Sequence, residues 1–283
     1  MRHNARIKNS QHHRRQWSVV KTLLVTAAAF LGTISPFAAG QTAYDPLATR
    51  RGWEVGGQIA HYHYEEPNFA KLIGPRAGVV GGYTLVRWGM FFRADGRISI
   101  GNLKYQGSGT QDDVPDSIQE TRVVAGTDIR AGSHVAFSPY AGLGYRYLYN
   151  DLRGQTQSGG VVFAGYRRYS TYLYAPFGLT TRFKLTERWV LAPTIEYDVF
   201  LRGSQTSKLS DVGPGNSDVT NAQRHGRGYR FALMAETGRL AFGPWVHYWR
   251  IEDSDRVRIS PTTVVLEPAN WTREIGVEAR FRF

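Results

Sequence analysis

The chain has 283 residues, 35 basic and 23 acidic side chains, a formal net charge of +12 and no cysteine, which excludes a disulfide framework and thiolate chemistry. Six of the basic residues and none of the acidic ones lie in residues 1–21, so 29 basic residues face 23 acidic ones in the rest of the chain. Because that remaining charge is scattered through alternating segments, the basic composition does not favour nucleic-acid binding.

The first 40 residues have the organisation of a secretory signal peptide. The basic segment precedes an apolar run, Thr22–Ile34, of about 13 residues, which is too short to span a bilayer as a helix. Pro36 ends the run, and Ala38, Ala39 and Gly40 are small residues of the kind that a signal peptidase recognises. We predict cleavage after Gly40, and an amphipathic membrane anchor is the alternative.

The predicted signal peptide, 1–40, is followed by a short polar leader, 41–51, and then by one domain, 52–283. In that domain apolar and polar residues alternate with a period of two, which is the pattern of a β-strand with two different faces. The predicted strands are 52–64, 76–86, 92–100, 118–130, 135–149, 169–184, 189–201, 227–236, 240–251 and 271–283. No apolar run in this domain approaches the roughly 18 residues of a membrane helix.

The predicted connections alternate in length. They are short after the second, fourth, sixth and eighth strands and longer after the others, and the longer ones include the polar segments Gly101–Asp116 and Arg202–Gly226. Single-chain outer-membrane barrels have an even number of antiparallel strands, short periplasmic turns and long outer loops. We therefore predict an all-β fold, a single transmembrane antiparallel β-barrel of ten strands.

Aromatic residues gather at both predicted ends of the strands, as they do in the girdles at the two interfaces of a membrane barrel. The predicted inner girdle comprises Trp88, Phe183, Trp189, Phe242, Phe281 and Phe283. The predicted outer girdle comprises Tyr62, Tyr147, Tyr172, Tyr229, Tyr248 and Trp271.

The last predicted strand is the clearest example of the alternation. Its apolar face comprises Ile275, Val277, Ala279, Phe281 and Phe283, and the residues between them are mostly charged or polar. This strand resembles the terminal strand of bacterial outer-membrane β-barrel proteins, whose closing Phe belongs to the assembly signal. The resemblance implies that the protein lies in the cell outer membrane and that Phe281 and Phe283 are recognised by the barrel-assembly machinery.

By the same alternation, nine basic and eight acidic side chains point into the barrel. The basic ones are Arg93, Arg97, Arg122, Arg130, Arg146, Arg182, Arg230, Arg280 and Arg282, and the acidic ones are Asp95, Glu120, Asp128, Glu196, Asp198, Glu236, Glu274 and Glu278. A ten-stranded barrel is narrow, and an unpaired charge inside it would cost several kcal/mol. The near balance predicts a lumen closed by ion pairs, and a wet pore lined by the same charges is the alternative.

Four longer stretches of the chain are Tyr64-Glu65-Glu66-Pro67, the segment 139–151, Glu196-Tyr197-Asp198 and Tyr248-Trp249-Arg250-Ile251. They resemble a family of uncharacterised outer-membrane β-barrel proteins of Gram-negative bacteria. The resemblance implies the barrel fold and the outer-membrane location, and it implies no activity.

A surface enzyme is disfavoured. The omptin surface proteases, also ten-stranded, use an aspartate pair and an Asp–His pair on facing outer strands. The predicted outer loops supply these residue types without that spacing, as Asp112, Asp113, Asp116, Asp211, Asp218 and His225. Carboxylates in loops more often form turns, so no catalytic residue is predicted.

Two further groups were weighed as sites. Ser133 and His134 are an adjacent Ser–His pair, but they fall in a predicted inner turn, which disfavours a lipid-modifying hydrolase. His61 and His63 share one strand face and could share a metal, but no third ligand is evident. We therefore predict neither a metal nor a cofactor.

Three arginines have the parity of lipid-facing residues and lie at predicted outer ends, Arg227, Arg250 and Arg273. Arginine binds phosphate bidentately, so they are candidates for contact with lipopolysaccharide; snorkelling of interfacial arginine is the alternative. The predicted function is that of a non-enzymatic structural or surface-interaction protein whose five outer loops meet a surface ligand. A narrow, porin-like solute channel and a surface hydrolase are the alternatives.

Overall fold

A computed structural model describes residues 45–283. The predicted signal peptide, 1–40, lies outside the described residues, as do residues 41–44. Ten long strands dominate the described part of the chain: β1 Gly52–Glu66, β2 Ala70–Arg87, β3 Met90–Gly107, β4 Gly109–Thr127, β5 Val135–Asp151, β6 Arg167–Lys184, β7 Trp189–Ser207, β8 Gly226–Thr237, β9 Leu240–Ile251 and β10 Asn270–Arg282.

The ten strands form a closed antiparallel barrel. Each strand pairs with its neighbours in the chain, and β1 also pairs with β10, where Gln58 lies opposite Glu278. Closure removes the free edges that would otherwise leave unpaired backbone groups. The predicted all-β, ten-stranded barrel is confirmed.

The two ends of the barrel differ. At one end, here called the turn end, neighbouring strands are joined by the short turns 88–89, 131–134, 185–188 and 238–239. Trp88 and Gly89 both have positive φ, 56° and 73°, as the central residues of a two-residue type I′ hairpin require. The other end, here called the loop end, carries the connections 152–166, 208–225 and 252–269, besides the shorter 67–69 and 108.

The predicted polar loop Gly101–Asp116 is wrong. β3 and β4 run on through this segment as a hairpin whose only connecting residue is Ser108, with Asn102 opposite Pro115 and Leu103 opposite Val114. The extension was missed because the outward face of this hairpin is polar, so the apolar alternation that predicted the strands is absent. β7 is also longer at the loop end than predicted, for the same reason, and β2 begins at Ala70 rather than Arg76.

Along the middle of the barrel the outward face is apolar. Ile59 and Val123 are each 62% exposed, and Val79, Ile98 and Ile195 point the same way. Such a belt on the outside of a closed barrel is what lipid contact requires. In residues 45–283, no helix is long and apolar enough to cross a membrane.

The inside of the barrel has an apolar layer at the loop end, here called the apolar plug. Its buried residues are Tyr62, Tyr64, Leu72, Leu103, Val114, Ile118, Leu148, Leu152, Tyr172, Tyr174, Phe200, Trp249 and Ile251. Two of them, Tyr62 and Tyr172, were predicted in the outer girdle, which is wrong. Tyr62 has the parity of Gln58 and Glu54, so its ring points inward, where it is 0% exposed.

The loop end also carries small elements. Gln155–Ser158 and Val161–Ala164 form a hairpin, Val219–Gln223 adds to the extended end of β7, and Val257–Arg258 pairs with Val264–Val265. A 3₁₀ turn covers Leu209–Asp211.

The leader crosses the turn end. Asp45 pairs with Arg130, Thr49 donates its backbone N–H and its hydroxyl to Asp128 at 2.7 Å each, and Arg50 donates to the Gly238 carbonyl of a different turn. Leu47, between these contacts, is 2% exposed. The described leader residues therefore bridge one side of this mouth to another.

Candidate functional site: the lumen and the loop end

The centre of the lumen holds a network of buried ion pairs. Arg97 on β3 donates from Nη2 and Nη1 to the two oxygens of Glu274 on β10, at 2.8 and 3.0 Å, and from Nε to Glu120 on β4 at 2.7 Å. Arg146 on β5 lies 3.4 Å from the same Glu274 carboxylate. All four side chains are buried, and the bidentate geometry is the strong form of this interaction.

Arg230 on β8 extends the network to the opposite wall. Its Nε lies 2.8 Å from Glu196 and 2.9 Å from Asp198, and its other nitrogens donate to Glu120 and to the Tyr174 hydroxyl, the latter at 2.8 Å. Each guanidinium thus meets several acceptors, which offsets the cost of burying its charge.

Arg122 continues the same chain of contacts. It donates to Asp95 at 3.0 Å and to Glu196 at 2.7 Å, and the Tyr140 hydroxyl donates to Glu196 at 2.7 Å. The contacts therefore run across the lumen from β10 through β3, β4 and β8 to β7. In this layer acidic and basic side chains are mixed, so positive and negative charges are not segregated to different sides of the lumen.

A second group of ion pairs lies nearer the turn end. Glu54 meets both Arg93 and Arg280, Arg280 also lies 2.8 Å from Glu278, and Arg282 makes a two-pronged contact with Glu236. Arg182 donates to the Ser138 hydroxyl at 2.7 Å. Between the two groups is a polar cavity of about 190 Å³, room for a few waters.

The alternation brought most of the predicted inward charges to these groups, with one difference. Asp128 joins the turn-end group, 3.6 Å from Arg182 Nη1 and accepting from the Ser138 hydroxyl, and it also accepts from Thr49 of the leader. Arg130 lies apart from the lumen networks, because the β4 ladder is interrupted at Asp128 and the short strand Ile129–Arg130 leaves its side chain half-exposed beside Asp45.

Sequence reasoning left Glu54 out of the inward acids, although it pairs with Arg93 and Arg280. It also missed two groups of buried charges nearer the loop end. Arg76 on β2 pairs with Asp116 on β4 and lies 3.6 Å above the Tyr62 ring, and Arg168 on β6 meets two glutamates at the loop end. Asp116 and Arg168 fell just outside the predicted strands, so no parity was assigned to them. Extending the alternation into the polar ends of the strands would have placed Asp116 and Arg168 inside the barrel, but not Glu267, which lies in a connection between strands.

The Arg168 cluster anchors a loop. Arg168 Nη2 contacts Glu66 of β1 at 2.6 Å and Glu267 of the 252–269 connection, and the Tyr64 hydroxyl donates to Glu66 at 2.6 Å. Burial raises the pKa of Glu267 to about 7, against the opposing pull of Arg168 and with further help from the Glu66 charge. One arginine thus serves two carboxyl groups, and a proton on Glu267 relieves their repulsion.

Four of the five candidate catalytic aspartates, all but Asp113, have cationic partners. Asp116 is buried against Arg76, Asp112 lies 3.6 Å from Lys104, and Asp218 pairs with Lys208. Arg167 lies 2.7 Å from Asp211, and hydrogen bonds from its side chain lower the pKa of Asp211 to about 2. Each of these four carboxylates therefore lies within ion-pair distance of a basic side chain.

The histidine candidates lie in different places. Ser133 and His134 are exposed at the turn end, with Ser133 Oγ 2.8 Å from His134 Nδ1. His61 is exposed on the outside of β1, and His63 lies 3.1 Å from Glu65 with its ring 4.5 Å from that of Trp271. Among the described residues, 45–283, no group of three or more His, Asp or Glu could hold a metal.

The remaining predicted residues are on the outer surface. Phe281 and Phe283 are exposed at the turn end, with ring centres 5.2 Å apart. Arg227, Arg250 and Arg273 are exposed near the loop end of β8, β9 and β10.

Comparisons with known proteins support the fold. No family model matches the chain, and no curated protein matches its sequence. Among solved structures, the Escherichia coli outer membrane protease OmpT aligns with a TM-score of 0.52 at 10% identity, over 86% of this chain and 99% of that one. Neisserial surface protein A aligns with a TM-score of 0.33 at 12% identity, over 82% and 97% of the two chains. The β domain of the Bordetella autotransporter BrkA aligns with a TM-score of 0.42 at 11% identity, over 82% and 100%.

A closed barrel, an apolar outer belt and short turns at one end together define a transmembrane β-barrel. The protein is a ten-stranded barrel of the outer membrane, and the predicted location is confirmed by this architecture and by the fold that it shares with OmpT. Its turn end corresponds to the periplasmic side and its loop end to the cell surface.

Proposed function

We propose that this barrel is a non-conducting, non-enzymatic surface protein that acts through its loop end. The observation that carries the proposal is the apolar plug, in which Tyr62, Tyr172, Trp249 and their neighbours pack together inside the loop end of the lumen. The buried charges among these rings already have partners: Arg76 pairs with Asp116, and Arg168 pairs with Glu66 and Glu267. A hydrated ion entering this layer would lose water without finding a free charge, which is costly. Beneath the plug, the charges of the Arg97–Glu274 network are paired with one another and do not line a water-filled pore.

The absence of an evident catalytic arrangement among the described loop residues supports the non-enzymatic part. The carboxylates Asp116, Asp211 and Asp218 are each engaged by a cation, which leaves little basicity for proton transfer. The sequence resemblance to an uncharacterised family of Gram-negative barrels is consistent with this part, since it brings no activity with it.

The test is single-channel conductance of the refolded barrel in a planar bilayer. No conductance is expected from protein whose folding has been verified by heat-modifiable migration on gels. Steady openings that scale with salt concentration would establish the alternative, a narrow solute channel. Incubation of the same preparation with a mixed peptide library tests the enzymatic alternative, because any cleavage abolished by Asp116→Asn or Asp211→Asn would contradict the proposal.

A loop deletion, with bounds set by the strands of the structure, tests whether this loop binds a surface ligand. Residues 202–207 and 219–223 belong to strands, so the deletion is restricted to 208–218, joined by a short glycine linker. Loss of binding to host or bacterial surface material, with unchanged heat-modifiable migration, is expected if this loop carries the contact. A matched deletion within 256–263 reports on the neighbouring loop.

A further inference from the structure

The strands β8, β9 and β10 carry an arginine cluster on their outward face. Arg227 lies directly opposite Arg250 across the β8–β9 ladder, and Arg273 on β10 lies opposite Tyr248, one diagonal step from Arg250. Like charges placed directly opposite on a sheet face destabilise it. A bound anion between them would remove that repulsion.

The cluster has spare positive charge. Arg250 Nε lies 3.1 Å from Glu252, and both side chains of this pair are about half exposed. Arg227 and Arg273 are exposed and make no ion pair with any residue in the described range 45–283. The nearest acid on the other flank, Glu65 of β1, is shared between His63 and Lys71. Two of the three arginines therefore face outward uncompensated.

Aromatic rings mark the level of the cluster. Tyr229, Tyr248 and Trp271 follow one another around the barrel with ring centres 6.3 Å apart at each step, and the last two are nearly parallel. Tyrosine and tryptophan rings settle at the membrane interface, so the arginines lie at headgroup depth on the loop-end side.

A lipid-facing groove lies on the same strands, nearer the turn end. Its walls include Leu233, Phe242, Pro244 and Val277, and its floor is formed by small residues such as Ala235, Ala279, Gly57 and Gly243. From Arg227 to Leu233 is six residues along β8, roughly 20 Å at about 3.3 Å per residue, or about 15 Å along the membrane normal for a strand tilted by about 40°. That is half of the roughly 30 Å hydrocarbon core, the depth reached by a chain of the outer leaflet.

We propose that the arginine cluster and this groove form one site for lipopolysaccharide. The lipid A phosphates bridge Arg227, Arg250 and Arg273, and one acyl chain runs down the face of β8–β10 into the groove. Guanidinium groups bind phosphate bidentately and remain charged at any relevant pH. The site rests on the outer-membrane location and goes beyond the proposed surface function.

The test uses bis-phosphorylated lipid A added to the refolded barrel in detergent, with binding counted by native mass spectrometry. The double variant Arg227→Gln/Arg273→Gln should weaken binding by at least about tenfold, since charge-assisted contacts are lost. The matched control Arg87→Gln/Arg188→Gln removes two exposed arginines at the turn end and should leave binding unchanged. Equal retention by the first variant and wild type would show that these arginines only snorkel, and would overturn the proposal.

Two further sets of measurements distinguish binding of the phosphorylated headgroup from binding of the acyl chain, and lipopolysaccharide from other lipids. Ala279→Phe fills the groove while leaving every arginine in place, so it should weaken binding of lipid A but not of its deacylated, phosphorylated sugar. Dephosphorylated lipid A should bind wild type no better than it binds the double variant. Equal binding of phosphatidylglycerol and lipid A would overturn the assignment to lipopolysaccharide. None of these results depends on conductance, so this proposal and the proposed function fail separately.

Discussion

Replacing Glu274 by Gln tests whether the lumen charges are truly desolvated. Glu274 is 1% exposed and accepts two hydrogen bonds from Arg97, and Arg146 approaches it to 3.4 Å. Without its charge, Arg97 keeps Glu120 at 2.7 Å. Arg146, which is 0% exposed, keeps no carboxylate within ion-pair distance among residues 45–283.

The magnitude follows from that geometry. Breaking a buried pair so that one charge stays uncompensated costs about 3–5 kcal/mol, and we expect Glu274→Gln to lower the free energy of unfolding by that amount. The matched control is Glu252→Gln, whose partner Arg250 is at 3.1 Å on the half-exposed surface. Exposed pairs contribute about 0–1 kcal/mol, so the control should be nearly silent.

The assay is urea unfolding of the refolded barrel followed by tryptophan fluorescence, with Trp245 and Trp249 buried in the lumen. Adding Arg146→Met to Glu274→Gln should recover part of the loss, with a coupling energy of about 0.5–3 kcal/mol. A loss below about 1 kcal/mol for Glu274→Gln, or strict additivity in the double variant, would refute the reasoning. Either result would mean that water already solvates these charges, as in a wet pore.

Three further predictions concern other parts of the barrel. Burial raises the pKa of Glu267 to about 7, so its contribution to docking the 252–269 loop is full below the ordinary glutamate pKa and is lost as the pH rises through about 7. A spin label attached at Thr262→Cys should therefore be more mobile at high pH than at low pH. Glu267→Gln should remove this difference. Gly144→Ala would place a Cβ 2.2 Å from the Tyr174 ring and should cost about 1–3 kcal/mol by overpacking, whereas Gly57→Ala, with its nearest neighbour at 3.8 Å, should be silent in the same urea titration. Phe281→Ala/Phe283→Ala should lower the amount of barrel assembled in cells, measured by heat-modifiable gels, while hardly moving the urea midpoint of refolded protein, because both rings are exposed.

The fold could be predicted from the sequence because lipid and lumen impose opposite demands on alternate residues. In β3, Phe92, Ile98 and Ile100 alternate with Arg93, Asp95 and Arg97, so parity alone assigned both faces. The alternation loses its contrast where the strands leave the lipid, as at Gln111 and Asp112 of β4. There both faces are polar, so the pattern predicts a loop where the structure has a strand.

The contacts of the lumen could not be read from the sequence in the same way. Parity says that Arg230 points inward, but its meeting with Glu120 depends on barrel closure and tilt, which bring β8 against β4. The apolar plug was missed because Tyr62 and Tyr172 were assigned to a girdle by composition and position, although their parity, shared with Gln58 and Arg182, points them inward. The leader contacts at Thr49 were invisible because a short polar segment has no periodicity to interpret.

The length of the β3–β4 hairpin sets how far the protein stands above its membrane. β3 has 18 residues, roughly 60 Å of strand at about 3.3 Å per residue, which reaches about 45 Å along the normal at a tilt near 40°. The apolar band of such a barrel is only about 25 Å tall, so Ser108 is lifted on the order of 20 Å clear of the hydrocarbon. The barrel wall thus also raises the loop end above the membrane. A partner as large as a folded domain could bind its rim without displacing the surrounding lipid headgroups.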